Sequence, residues 1–166
     1  MLAMGMWLAG TVVTAVVAAE NFYTIDRLLV SSPSTTFVTT VERVGRGEAR
    51  EFLRYLSSEL NRLYFRLWNV AQLVIGVLLL WLIGRDAGAA KARRAVILML
   101  GIVVVMTVWL APEVSSIGRS LDFVPRDPPP SAVGRFWILH AAYTSLTLFN
   151  LIAGVSVGVW IARGRS

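Results

Sequence analysis

Residues 65–84 read FRLWNVAQLVIGVLLLWLIG, a stretch in which Arg66 is the one charged side chain. An α-helix of about 20 apolar residues is long enough to cross the hydrocarbon core of a bilayer. Trp68 and Trp81 lie near the two ends, where the headgroup layer suits an indole ring that is apolar but carries an N–H donor. This stretch therefore predicts a transmembrane helix.

Three further segments are as apolar as this one, namely residues 1–19, 95–112 and 136–161. The segments between them, 20–64 and 113–135, are more polar and contain most of the acidic residues. Four apolar segments of this length predict an all-α fold, an integral membrane four-helix bundle. We expect residues 1–166 to form a single membrane domain with four spans.

The tryptophans support this topology. If the chain crosses the membrane back and forth, the six rings fall into two belts of three. Two such belts are expected of four membrane spans and not of a soluble core, because indole rings collect at both membrane–water interfaces. The predicted interface anchors are Trp7, Trp81 and Trp160 at one face, and Trp68, Trp109 and Trp137 at the other.

Composition narrows the class of protein. The chain is 56% hydrophobic, too apolar for a soluble domain of 166 residues. Its net charge of +6 comes from basic residues that flank the spans, so membrane lipids with anionic headgroups are expected partners and nucleic acid is not. The absence of cysteine excludes disulfides and thiolate metal sites.

The expected location is a bacterial inner membrane, either cytoplasmic or intracytoplasmic. Lys91 is the one lysine among sixteen basic residues, a bias that indicates a GC-rich bacterial genome. Val17, Ala18 and Ala19 match the small-residue pattern of a signal-peptidase site, but no basic region precedes the segment, so we interpret it as a retained span. Basic residues are densest beside the spans at the membrane face that carries both termini and the short turn between spans two and three. This density favours cytoplasmic termini.

The segment before the second span predicts an amphipathic helical arm. Ser32, Pro33 and Ser34 mark a turn and a helix start. From Glu48 onward, apolar residues recur at steps of three and four, with charged residues on much of the other face. This arm is expected to lie on the membrane surface or to run directly into the second span, and a helix that binds a partner protein is the alternative. The prolines of segment 113–135 predict an extended linker.

Polar residues at membrane depth are costly and usually face other helices or a cavity. Counting residues along each helix from its tryptophan places six polar residues near the same membrane face, which predicts a polar cluster. Its expected members are Glu20, Asn21, Asn69, Gln72, His140 and Thr144. The cluster is either a proton, ion or small-ligand site with Glu20 and His140 as its ionisable members, or a set of interhelical hydrogen bonds.

Metal or cofactor binding is a further alternative. Met106 should lie at a depth similar to that of His140, so the two could serve as axial ligands of haem, and thioethers also suit copper. With one histidine and no cysteine, however, the chain supplies few ligands. We therefore expect no cofactor and no metal site. In the alternative, a haem or copper protein, His140 and Met106 are the candidate ligands.

Small residues indicate close helix packing. Gly154 and Gly158 form a GxxxG pair in the fourth span, and Gly10 and Thr14 lie four residues apart in the first. Polar and small residues at positions 143, 147, 150 and 154 continue one face of the fourth span. That helix is expected to contact other helices along most of its length.

Short motifs resemble the transmembrane-protein-205-like family of small four-helix membrane proteins, a domain family of largely unknown function. These motifs are Gly5, Met6 and Trp7 in span one, Tyr64 and Phe65 before span two, Trp109, Leu110 and Pro112 closing span three, and Phe136 with His140 opening span four. The resemblance implies a four-helix membrane fold over most of the chain. It implies no activity.

No HExxH, GxSxG or phosphate-binding loop is present in the sequence, so we expect a protein that is not an enzyme. The function that fits best is a non-catalytic accessory subunit that stabilises a larger membrane complex through other membrane-protein subunits, for example a respiratory or photosynthetic one. The alternatives are a small transporter or ligand-binding membrane protein that uses the polar cluster, and a haem or copper protein.

Overall fold

The computed structural model describes residues 1–84, 87–125 and 127–163. This part of the chain contains five α-helices and no strand, which confirms the all-α fold class. In chain order the helices are α1 (Leu2–Ser31), α2 (Thr35–Val44), α3 (Arg46–Ile83), α4 (Ala90–Ser120) and α5 (Ala132–Arg163).

Four of these helices are long and apolar enough to cross a membrane, as in an integral multi-pass membrane protein. They are α1, α3, α4 and α5. Helix α1 contacts α3, α3 contacts α4, α4 contacts α5, and α5 returns to α1. The four therefore form a closed bundle in which helices that follow one another along the chain are neighbours.

Helices α1 and α3 both extend well beyond the predicted spans. Helix α1 continues past residue 19 to Ser31, and α3 begins at Arg46, before the predicted start of the second span at Phe65. These extensions correspond to about 18 Å of α1 and about 28 Å of α3 at the helical rise. Together with α2 they form a helical projection, residues 20–64, which we call the stalk.

The stalk turns at positions that the sequence marks. Ser34 caps α2, because its hydroxyl oxygen accepts a hydrogen bond of 3.2 Å from the Phe37 N–H. Helix α2 ends at Val44, and the next residue, Gly45, has a φ of 102°, a backbone conformation that favours glycine. Helix α3 starts at Arg46 and continues without interruption through the predicted arm into the second span.

The extension of α1 differs from the prediction that a polar connection follows residue 19. The stretch after Glu20 is helical because it packs against the first part of α3. Ile25 is buried, and the main-chain carbonyl of Asn21 accepts a hydrogen bond from the Ser57 hydroxyl at 3.3 Å. This tertiary packing supports a helix whose other face is charged and exposed.

Helix α4 also continues past the point where the sequence predicted an end. It contains a π-helical turn over Met106–Leu110, in which the Ala111 N–H bonds to the Met106 carbonyl, five residues earlier. A proline cannot bond to the carbonyl four residues before it, and its ring crowds that carbonyl. The widened turn directly before Pro112 accommodates the ring, so the helix runs on to Ser120.

The apolar core lies in the half of the bundle that contains the start of α1 and the end of α5. Met4, Trp7, Val96, Met99 and Val157 are at most 1% exposed and belong to one packed cluster. In a membrane bundle such packing stabilises the structure through close van der Waals contact between helices, because lipid chains are as apolar as these side chains.

Trp7 therefore does not occupy the outward position that the sequence predicted for a headgroup anchor. Its ring faces α3, where Gly76 leaves room for it. A Cβ added at Gly76 would lie 3.0 Å from Cζ3 of Trp7. The space at Gly76 is shared with Leu100, whose Cδ2 would overlap the same Cβ. The inward direction of the Trp7 ring thus depends on neighbouring helices, which residue counting along α1 does not include.

Candidate functional site

Asn21, one of the predicted cluster residues, lies in a polar contact between α1 and α3. Its Nδ2 donates a 2.7 Å hydrogen bond to Oδ1 of Asn61. Nδ2 of Asn61 in turn donates to the main-chain carbonyl of Ala18 at 2.9 Å. Asn61 is buried, so both ends of its amide join the two helices. Asn61 was not among the predicted cluster residues, although it lies on the arm two turns before Asn69.

Asn69 connects α3 with α5. The Tyr143 hydroxyl donates a 2.9 Å hydrogen bond to Oδ1 of Asn69, and the Tyr143 ring packs edge-on against Phe65 at 5.5 Å between centroids. Asn69 is 1% exposed, and its Nδ2 has no hydrogen-bond partner among the described residues. One end of this buried amide is thus satisfied by the protein, and the other end has no partner in the described part of the chain.

Gln72 follows Asn69 by one turn and faces α1. Its Nε2 lies 3.5 Å from the Thr11 hydroxyl, which itself donates to the Trp7 carbonyl at 2.8 Å. Gln72 and Thr11 are both buried. This pair is a second polar contact between α1 and α3, deeper in the bundle than the pair formed by Asn21 and Asn61.

Asn150 is a further buried polar residue, on the face of α5 that the sequence predicted to contact other helices. Its Nδ2 donates to the Met99 carbonyl on α4 at 3.3 Å, and its Oδ1 has no partner in the described part of the chain. Tyr143, Asn150 and Gly154 thus all face the bundle, while Thr147 is half-buried and bonds to the carbonyl of Tyr143.

The two ionisable residues of the predicted cluster lie apart from these contacts. Glu20 is exposed and forms an ion pair of 2.9 Å with Arg27, two turns further along α1. His140 is exposed, and its ring stacks on Phe136 at 5.7 Å and meets Trp137 edge-on at 5.8 Å. Thr144 is also exposed and donates to the carbonyl of His140 at 3.0 Å.

The six predicted residues therefore do not form one hydrogen-bonded cluster. Three are used in contacts between helices, namely Asn21, Asn69 and Gln72. The other three lie on exposed surfaces: Glu20, His140 and Thr144. The buried contacts supply uncharged amides and hydroxyls, which can hold helices together or bind water.

The suggested haem ligands have different surroundings. Met106 is 2% exposed and lies in the π-helical turn of α4, whereas His140 is exposed on α5. Across residues 1–84, 87–125 and 127–163, no group of three or more His, Asp or Glu side chains could hold a metal ion.

The predicted packing residues contact helices of this same chain. Gly10 lies under the ring of Trp68, which a Cβ at this position would overlap. A Cβ at Gly154 would lie 2.9 Å from Cδ2 of Leu8 and 3.3 Å from Cε of Met99, whereas at Gly158 the nearest atom would be Cγ of Met4 at 3.7 Å. Thr14 is half-buried on the same helix as Gly10.

The remaining tryptophans divide by exposure. Trp68 is half-buried because its six-membered ring covers Gly10. The other four rings are exposed on the surface of the bundle: Trp81, Trp109, Trp137 and Trp160.

Beyond the predicted spans, an ionic network joins α3 to the end of α4. Oε1 of Glu59 accepts hydrogen bonds from Arg62 at 2.6 Å and from Nε of Arg119 at 2.9 Å, while its Oε2 accepts from Nη2 of Arg119 at 3.0 Å. Nη2 of Arg62 also contacts Asp122 at 3.1 Å. Gly118 permits the close approach, since a Cβ there would lie 3.0 Å from Nη2 of Arg62.

The hydrogen bonds from Arg119 are the main reason that the pKa of Glu59 falls to about 2, against the opposing effect of desolvation. The bonds from Arg62 lower it further. The same contact with Glu59 raises the pKa of the Arg119 guanidinium. Sequence reasoning missed this network because Glu59 and Arg119 are 60 residues apart and the helical continuation beyond Pro112 was not expected.

An aromatic patch lies on the stalk beside this network, formed by Phe52, Tyr55 and Phe123. The ring of Phe123 lies 5.6 Å from that of Phe52 and 5.2 Å from that of Tyr55. Despite these contacts the three side chains stay 62%, 41% and 50% exposed, in the order Phe52, Tyr55, Phe123. Large aromatic side chains that are exposed together indicate a contact surface.

Phe123 has a φ of 58°, the left-handed conformation that bulky residues rarely adopt. Such a conformation costs about 1–3 kcal/mol. Here it turns the chain after α4 so that the ring lies on the stalk.

Comparisons with known proteins find no match: no protein-family model fits the chain, and no curated protein or solved structure is significantly similar to it. The resemblance to the transmembrane-protein-205-like family stays a prediction.

Proposed function

We propose that this chain is a non-catalytic accessory subunit of a larger membrane complex and that it holds a partner protein through the aromatic patch of its stalk. The observation that carries this proposal is the exposure of Phe52, Tyr55 and Phe123 on a projection outside the predicted spans. Aromatic residues at the centre of an interface contribute a large share of the binding free energy, because they bury much apolar area with few rotatable bonds.

The use of the polar residues within the bundle supports the same proposal. Asn21, Asn69 and Gln72 each bond to a neighbouring helix of this chain. Interhelical hydrogen bonds of this kind stabilise a membrane bundle by about 0.6–2 kcal/mol each. These bonds hold the helices of the bundle together, and the stalk extends from that bundle toward the proposed partner.

Site-specific photocrosslinking in the native membrane tests the proposal. A photoreactive phenylalanine analogue at position 52 should crosslink to one defined partner protein. The matched control is the same analogue at Phe149, which is exposed on α5 within the predicted span and should crosslink to lipid. Crosslinks from position 52 to lipid alone, or to no molecule at all, would contradict the proposed role of the patch.

Two substitutions separate binding from folding. Phe123→Asn removes the ring but keeps a residue that tolerates the left-handed conformation, and Tyr55→Ala removes an exposed ring from helix α3 while position 52 carries the photoreactive analogue. Both variants should keep the melting temperature of the wild-type protein within a few degrees and lose most of the position-52 crosslink. Retention of the full crosslink in both would overturn the assignment of the patch.

A small ligand-binding or transport protein is the second candidate. The observation that favours it is a set of buried polar atoms that have no hydrogen-bond partner among the described residues, at Trp7 Nε1, Trp68 Nε1, Asn69 Nδ2 and Asn150 Oδ1. Buried polar groups normally have a partner, in many cases ordered water. Uptake by proteoliposomes tests this candidate, since Asn69→Leu should abolish a flux that runs through the bundle and Thr144→Ala should leave that flux unchanged.

A further inference from the structure

A basic groove lies where α3 enters the predicted second span, beside the end of α4. It has a volume of about 300 Å³, and its lining includes Glu59, Leu60, Arg62, Leu63, Arg66 and Arg119. Three guanidinium groups thus face one carboxylate across an apolar floor. Such a lining suits a molecule that carries an anion and also has an apolar part.

The arginines of the groove are not neutralised by the chain. Glu59 is shared by Arg62 and Arg119, and Asp122 contacts Arg62 from outside the lining. With Asp122 included, three positive charges still face only two negative ones. Arg66 is exposed and has no ion pair or hydrogen bond to any other residue that the structure describes. Arg119 uses two of its five N–H donors on Glu59, so donors remain for an anion.

The position of Arg66 relates the groove to the membrane surface. Arg66 lies between Phe65, the predicted start of the span, and Trp68, a predicted headgroup residue. Leu63, Arg66, Leu67 and Val70 recur at steps of three and four, so they share one face of α3. All four are exposed. An apolar stripe with an arginine in it therefore runs from the groove into the span.

We propose that this groove binds the headgroup of an anionic phospholipid. The lipid phosphate contacts Arg66, the polar part of the headgroup reaches toward Arg62 and Arg119, and an acyl chain lies along Leu67 and Val70. Charge complementarity selects the anion, and the apolar stripe selects a lipid over a soluble phosphate. The stalk patch formed by Phe52, Tyr55 and Phe123 has no part in this site.

Lipid binding to the delipidated full-length protein, measured by native mass spectrometry, tests this proposal. The probes are phosphatidylglycerol, phosphatidylcholine and glycerol phosphate, the last being an anionic headgroup without acyl chains. We expect phosphatidylglycerol to bind at least about 5-fold more tightly than the other two, since one basic residue at the membrane surface contributes roughly that factor. Equal binding of all three probes, or equal binding of phosphatidylglycerol and glycerol phosphate, would overturn it.

Arg66→Gln is the informative variant because this side chain makes no contact that folding needs. It should weaken phosphatidylglycerol binding by about 5-fold, the factor expected for one surface charge. Arg43→Gln is the matched control, since Arg43 is an exposed arginine in the last turn of α2, on the stalk. An Arg66→Gln variant that binds phosphatidylglycerol as tightly as Arg43→Gln would overturn the assignment of the phosphate to Arg66.

Discussion

Nδ2 of Asn21 donates a 2.7 Å hydrogen bond to Oδ1 of Asn61, and this bond fixes the base of the stalk. The two residues lie 40 positions apart, on antiparallel helices that are joined at the far end of the stalk. Because Asn61 also donates to the Ala18 carbonyl, one buried side chain holds the register of α1 against α3. Phe52 and Tyr55 of the aromatic patch lie on the same extension of α3.

Asn61→Ala should destabilise the protein by about 1–3 kcal/mol, because the variant leaves the Asn21 amide without its partner in a partly buried contact. Thermal unfolding in mild detergent measures the change. Thr144→Ala is the control, since the Thr144 hydroxyl is exposed and bonds to a carbonyl of its own helix. If both variants unfold at the same temperature, the bond between Asn21 and Asn61 is not what fixes the stalk.

Three glycines on α1 and α5 should respond to alanine in a fixed order. Gly10→Ala should destabilise most, by about 1–3 kcal/mol, because the new Cβ overlaps the Trp68 ring. Gly154→Ala should have a smaller effect, since Leu8 Cδ2 at 2.9 Å belongs to a flexible side chain. Gly158→Ala should be neutral or stabilising, because its nearest neighbour lies at 3.7 Å and alanine favours a helix over glycine.

Unfolding temperatures of the three alanine variants test this order directly. All the contacts that set the order lie within one chain, so the order should hold for the isolated protein in detergent. Equal effects at Gly10 and Gly158 would show that the packing of Trp68 on Gly10 is not important for stability.

Acid should remove the stabilising effect of Glu59. In the folded protein its pKa lies at about 2, below the ordinary value of 4.5. A depressed pKa stabilises the folded state fully above pH 4.5, and this contribution is lost as the pH falls from 4.5 toward 2. The difference in melting temperature between wild type and Glu59→Gln should therefore be constant from pH 7 to about pH 5 and almost vanish at pH 2. A difference that grows on acidification would contradict the network.

Glu20 and His140 should act independently. Glu20 is paired with Arg27, and His140 packs between aromatic rings on another helix. Residues without shared partners have additive effects within about 0.5 kcal/mol. A double-mutant cycle with Glu20→Gln and His140→Ala, measured by thermal unfolding, should show this additivity. A coupling of more than about 1 kcal/mol, a size typical of residues in one network, would show that they belong to one site.

Hydrophobic periodicity predicted the four long apolar helices, because apolar length is a local property of the chain. It also indicated the amphipathic arm, while Ser32, Pro33 and Ser34 indicated the turn before α2. Residue counting concerned only how far along each helix Asn69, Gln72 and His140 lie, and it did not predict the direction in which each side chain points around its helix. That direction depends on the neighbouring helix.

Three features depend on contacts between distant residues and could not be read from the sequence. The continuation of α1 to Ser31 depends on its packing against α3. The burial of Trp7 depends on the space at Gly76. The continuation of α4 beyond Pro112 depends on the π-helical turn before it, and this extension brings Arg119 to Glu59.

The mass and composition of the particle extracted from the native membrane in mild detergent test the central claim most directly. The account predicts a large particle in which this 18.3 kDa chain has partner subunits in fixed stoichiometry. Combining Phe52→Ala with Phe123→Asn should release it from that particle as a folded protein. An isolated chain or a small homo-oligomer in the wild-type extract would contradict the account and favour the ligand-binding candidate.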